Sequence, residues 1–171
     1  MVNKIIKKCE KIKILLTDVD GVLTDGGMYY SAQGDVMKKF HARDGMGVNM
    51  LRRNNIPTVI ITKEKSQIVK RWAKKMNVIK VYDNVLKKEL ILEKISKKFL
   101  VSKSEMAYIG DDVNDLEIIK MVGFSATPKD GIEKMKKNVD HICHQKGGNG
   151  VLREISDLIL LSKFNTKVKL Y

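Results

Sequence analysis

The chain has 171 residues, 43% hydrophobic and 6% aromatic, with 33 Lys and Arg against 20 Asp and Glu for a net charge of +13. That length suits one domain (residues 1–171) with a sizeable core. Two cysteines, Cys9 and Cys143, are too few for a disulfide framework, no apolar run approaches the ~20 residues that span a bilayer, and the basic N-terminus lacks the pattern of a signal peptide. A cytoplasmic protein with no membrane role is expected. The charge raises nucleic acid as a partner, but the lysines are scattered in pairs along helical segments without interleaved aromatics. We therefore expect a solvated lysine-rich surface, no nucleic-acid partner, and an attraction for small anionic molecules.

In chain order, residues 12–17 predict a first strand, which ends in Thr17-Asp18-Val19-Asp20-Gly21. Alternate side chains of a strand share a face. Here the strand is ending, so one carboxylate can be aimed at a reacting centre with the other beside it. Two carboxylates this close repel, and burying them demands a cation or a split of their pKa values. Taken alone, the pair also reads as a polar strand exit with a turn. Residues 27–40, with Met28-Tyr29-Tyr30 and Val36-Met37 around a Ser-Ala-Gln-Gly turn, predict an inserted β-hairpin.

Beyond it, helices are predicted over 45–54, 65–76, 86–99, 114–121, 131–136 and 150–163. They alternate with short apolar strands over 58–61, 79–82, 106–109, 123–126 and 139–142. Continuously apolar strands suit a parallel sheet buried on both faces. The expected fold is α/β: a doubly wound parallel sheet with its site at the carboxyl ends of the strands, no second domain, and a mobile tail over 164–171.

Polar residues stand where those ends should lie. Thr62 follows 58–61, Lys88 follows 79–82, and Gly110-Asp111-Asp112-Val113-Asn114-Asp115 follows 106–109. Singly they read as a helix cap, a surface lysine and a helix N-terminus. His141-Ile142-Cys143-His144 invites a zinc reading, poorly supported with one cysteine and adjacent residues on opposite strand faces. Trp72 and Met76, at helical spacing, read as packing residues or as part of a subunit contact.

Taken together, the run from Asp18 to Asp25, Thr62, Lys88 and Gly110-Asp111-Asp112 resemble the four motifs of the haloacid dehalogenase superfamily of phosphatases. The hairpin, the missing cap domain and the segment Gly147-Gly148-Asn149-Gly150-Val151-Leu152-Arg153-Glu154 resemble its small capless branch, over about residues 12–160. The resemblance implies Asp18 as a nucleophile that forms an aspartyl-phosphate, and Asp20 as general acid and then base. It implies Mg²⁺ on Asp18, Asp111 and the backbone carbonyl of Asp20. Thr62 and Lys88 would hold the phosphoryl oxygens, while Asp112 and Asp115 fix Lys88 and the hydrated metal.

The branch includes phosphatases of 3-deoxy-octulosonate 8-phosphate and of nine-carbon, sialic-acid-type 9-phosphates. The first group usually reads Thr-Gly-Arg where this chain has Thr62-Lys63-Glu64. Glu64, with Lys75 eleven residues and so about three helical turns on, resembles the second group; the two need not touch, and a neighbouring chain can complete the contact. The expected substrate is therefore an acylneuraminate-type nonulosonate 9-phosphate, with the octulosonate 8-phosphate as the alternative. Lys63 in place of glycine bears on that loop's backbone, because glycine tolerates angles that lysine avoids. Residues 40–45 fit a substrate-facing loop in which Arg43 binds the sugar carboxylate and Asp44 faces substrate or caps the helix. The resemblance also implies a homotetramer in which a neighbour's hairpin or C-terminal segment covers the open site. A different class of reading, an inactive oligomerisation module, has no need of Asp18, Asp20, Lys88 and Asp111.

Overall fold

The computed structural model describes residues 2–165 and 168. Six parallel strands form one sheet in the order β5-β4-β1-β6-β7-β8: β1 (Ile14–Thr17), β4 (Thr58–Ile61), β5 (Lys80–Tyr82), β6 (Met106–Ile109), β7 (Phe124–Thr127) and β8 (His141–Ile142). β2 (Tyr29–Ser31) and β3 (Gly34–Met37) form the separate antiparallel hairpin. The helices are α1 (Val2–Cys9), α2 (Ala42–Arg53), α3 (Gln67–Lys75), α4 (Ile91–Phe99), α5 (Leu116–Ile119), α6 (Glu133–Lys136) and α7 (Val151–Phe164). Among the described residues no helix is long and apolar enough to cross a membrane.

The central strands are buried along their whole length, as continuous apolar runs require in a parallel sheet. Their alternation sends Leu15 to one face, among side chains of α1, α2, α3 and α7. Ile14 and Leu16 go to the other, against α4, α5 and α6. Edge strands β5 and β8 are short and partly exposed. Setting the hairpin aside, the sheet order reverses between β1 and β6, and the crevice at the carboxyl ends of those two strands is where an open α/β sheet builds its site.

All six sheet strands fall where the sequence places them, with boundaries shifted by at most two residues, and the hairpin lies inside the predicted 27–40. Two helices begin with a single 3₁₀ turn instead, Lys88–Leu90 before α4 and Val113–Asp115 before α5. α1 is absent from the sequence reading, although Ile5 and Cys9 pack into the core while Lys4, Lys7 and Lys11 face outward. The mobile tail expected over 164–171 falls largely outside the described residues. α7 continues to Phe164, Val168 packs against the core, and residues 166, 167 and 169–171 of that tail lie outside the described residues.

Candidate active site

The turn after β1 is held from three sides. The Asp18 N–H donates to the Ile109 carbonyl (2.9 Å), which ties it to the end of β6. The Val19 carbonyl accepts from Val22, Leu23 and Thr24 and closes one tight coil. Gly21 has φ +82°, and a Cβ there would run into the Asp111 carboxylate, so only glycine lets the two acidic loops approach. From beneath, Gly148 donates to the Val22 carbonyl (3.0 Å), and a Cβ on Gly147 would meet the Gly21 carbonyl. Within one chain, the glycine-rich segment braces the acidic turn.

Below the turn lies a buried triangle. Lys88 is 0% exposed, its Nζ 2.5 Å from Asp18 Oδ2 and 2.7 Å from Asp115 Oδ1. Asp115 also accepts from the Tyr108 hydroxyl (2.6 Å) and the Asp111 N–H (3.0 Å). Burial works against the Lys88 ammonium, but Asp18 and Asp115 outweigh it and hold Lys88 protonated. Burial pushes the Asp18 carboxyl up to about 7, with Asp115 adding to the push and Lys88 opposing it. Burial, then Asp18 and Asp115, push Asp111 up to about 8. Ligand oxygens of Asp18, Asp111 and Asp115 lie within 4.8 Å of one another, and one ammonium does not balance three carboxylates. Since Asp115 is committed to its three donors, Asp18 and Asp111 are left to face the opening. Hard, crowded oxygens short of positive charge fit a divalent cation such as Mg²⁺.

Asp112 is exposed, and its Oδ1 accepts from the N–H of Val113 (2.6 Å). It caps its own turn at the rim, and Asp115 alone of the two reaches Lys88. The expectation that both fix that lysine is corrected. Sequence order hides this, because it is the 3₁₀ turn that swings Asp115 inward.

Asp18, Asp20, Thr62, Lys63, Glu64 and Asp111 line a cleft of about 250 Å³, with Asp112 and Asn114 beside them. Thr62 is held at both backbone ends, by Tyr82 and Val85, and its hydroxyl accepts from the Glu64 N–H (3.3 Å). Lys63 is not among the residues with positive φ, so this loop has no need of the glycine it lacks. Asp20 Oδ1 accepts from Lys38 Nζ (2.7 Å) and Thr24 Oγ1 (3.2 Å). Burial works against the Lys38 ammonium, but Asp20 and then Asp35 raise its pKa above the usual lysine value.

Three expected substrate residues lie elsewhere in the chain. Lys75 is exposed near the end of α3 and does not line the cleft, whereas Glu64 does. Glu64 sits in the loop before α3, so helical periodicity does not relate the two. Arg43 is exposed in a separate groove of about 400 Å³, with Arg153 and Asp157. Asp44 does not line the cleft. It is fully buried and takes the Arg153 N–H (2.9 Å) and those of Gly150 and Leu152, so it caps α7, while His41 caps its own helix, α2. Burial pushes Asp44 up to about 6 against those three donors.

His141 in β8 and Cys143 just after it do meet Glu154. Glu154 is engaged by the N–H groups of His144 and Gln145, and burial pushes the Cys143 thiol up, so the trio reads as a turn lock. Trp72 stacks on Phe40 with centroids 4.7 Å apart and pins the base of the hairpin to α3. The sequence reading missed Tyr108, which completes the Asp115 network, and Lys38. A tyrosine inside a buried strand is a cue for a hydroxyl that needs a partner.

A doubly wound sheet with its acidic turn, threonine, buried lysine and second acidic loop at the switch point defines a phosphomonoesterase. The profile of the haloacid dehalogenase-like hydrolases matches residues 57–155, and the chain belongs to that family. It is 37% identical over 162 residues to the 3-deoxy-D-manno-octulosonate 8-phosphate phosphatase of Haemophilus influenzae, covering 95% of this chain and 90% of that protein. The crystal structure of the Moraxella catarrhalis phosphatase of the same name, in complex with magnesium, phosphate and KDO, superposes with a TM-score of 0.93 at 35% identity, over 96% and 95% of the two chains. A cobalt-bound form from H. influenzae gives 0.89 at 38%, over 91% of each.

Proposed function

We propose that this phosphatase hydrolyses a sugar-acid phosphate monoester, 3-deoxy-D-manno-octulosonate 8-phosphate, through an aspartyl-phosphate on Asp18. The observation that carries the chemistry is the placement of Asp18. It opens to the cleft on one side and is held from below by Lys88, which is itself locked by Asp115. Asp18 attacks phosphorus while Asp20 gives its proton to the departing sugar oxygen. Asp20 then takes a proton from water, whose oxygen attacks phosphorus and frees Asp18 and phosphate. Thr62 orients the phosphoryl oxygens from the cleft wall, while Lys88, fully buried beneath Asp18, places that carboxylate. Asp18, Asp111 and the Asp20 carbonyl would hold Mg²⁺, which when bound neutralises phosphoryl charge and relieves the repulsion between the carboxylates.

The names of the similar proteins support the 8-phosphate, and Lys75 stands outside the cleft that Glu64 lines. The 9-phosphate expectation, built on that pair, is the weaker reading. A phosphate-release panel of sugar-acid phosphates tests this. The 8-phosphate should exceed a nonulosonate 9-phosphate by about tenfold or more in kcat/KM, and a reversed preference overturns the substrate assignment. The exposed Met28, Tyr30, Val36 and Met37 of the hairpin support self-association into the expected homotetramer, since clustered apolar exposure marks interfaces.

A further inference from the structure

Almost the whole hairpin is exposed, yet the Lys38 side chain that follows β3 is only 6% exposed. Its Nζ sits 2.7 Å from Asp20 Oδ1 and 3.7 Å from Asp35 Oδ2. The stem of the hairpin is fixed by the Thr24–Phe40 bridge and by the Phe40–Trp72 stack, and Asp35 Oδ2 accepts from Ser66 Oγ at 3.5 Å. The ammonium is therefore delivered to Asp20 by a rigid local frame. A long, flexible lysine is expensive to bury, and it stays buried here because it has a carboxylate to meet.

We infer that Lys38 is a positioning residue. With Thr24 it clamps Asp20 Oδ1 and so presents Oδ2, which takes no hydrogen bond from the described residues, to the oxygen that leaves phosphorus. Lys38 does not line the cleft, so it acts through Asp20 and not on substrate. The inference rests on the proposal that Asp20 is the leaving group's acid. It gives the hairpin a role inside its own chain, as the arm that sets that acid.

The dependence on leaving group tests it, because kcat/KM covers only the steps through departure of the alcohol. A sugar oxygen needs a proton to leave, and 4-nitrophenolate does not. Lys38→Met keeps the length and packing of the stem and removes the charge. Its kcat/KM on 3-deoxy-D-manno-octulosonate 8-phosphate should fall about 10- to 100-fold, and on 4-nitrophenyl phosphate less than about threefold. Lys38→Arg, which can still reach the carboxylate, should recover most of the loss. Equal losses on both esters, or no loss on either, overturn the inference. Asp20→Asn is measured alongside: if it too loses equally on both esters, the assignment of Asp20 as acid has failed, which is a separate outcome from failure of Lys38.

Discussion

Two lysines meet two aspartates one residue apart, and they do so in opposite ways. Lys88 rises from the core, is fully buried and is shared by Asp18 and Asp115, with Tyr108 closing the network behind it. Lys38 comes from an exposed hairpin and meets Asp20, whose side chain is about one-third exposed. In the proposed mechanism the first arrangement removes freedom from the group that attacks, and the second leaves one oxygen open on the group that gives up a proton and takes one back. The neighbouring carboxylates differ in setting because different parts of the fold hold them.

Lys88→Met should break this contrast most severely. Turnover of 4-nitrophenyl phosphate should fall by about 10³-fold. Urea unfolding should show a loss of about 3–5 kcal/mol, since Asp18 and Asp115 are left buried without their cation. Unchanged stability would mean the triangle does not hold the site together. Lys38→Met, with its open partner, should cost less than about 1 kcal/mol in the same titration.

A smaller effect separates the two by pH. In the metal-free protein Asp18 and Asp111 sit near 7 and 8, against an ordinary 3.8. The fold therefore keeps protons that the unfolded chain has released. Their stabilising contribution is complete below about pH 4 and is lost as pH rises through 7 to 8. Mg²⁺ competes with those protons, so the rise in Tm on adding Mg²⁺ should be larger at pH 8.5 than at pH 6. A gain independent of pH would mean that the cation binds elsewhere.

Much of this was legible in the sequence, because strand ends in a parallel sheet are easy to find and the site lies along them. Asp18, Thr62, Lys88 and Asp111 each follow an apolar run, and the structure gathers them at one crevice. What stayed hidden depended on side-chain direction inside short or irregular pieces. Asp112 and Asp115 are indistinguishable in the sequence until a 3₁₀ turn points one inward. Asp44 looks like a cap for the helix it starts, but it caps a helix more than a hundred residues away. Glu64 and Lys75 have a helical spacing that the loop before α3 makes irrelevant. Lys38 offered no signal, since one lysine among 33 Lys and Arg carries no mark of burial.

Rapid acid quench can locate the phosphoryl group proposed on Asp18. After mixing with substrate and Mg²⁺, peptide mapping should find one phosphoryl group on the peptide that contains Asp18. The adduct should form and decay at rates that account for turnover, and Asp18→Asn should abolish both adduct and activity. Full turnover by Asp18→Asn, or an adduct on a different residue, would mean that Asp18 is not the nucleophile.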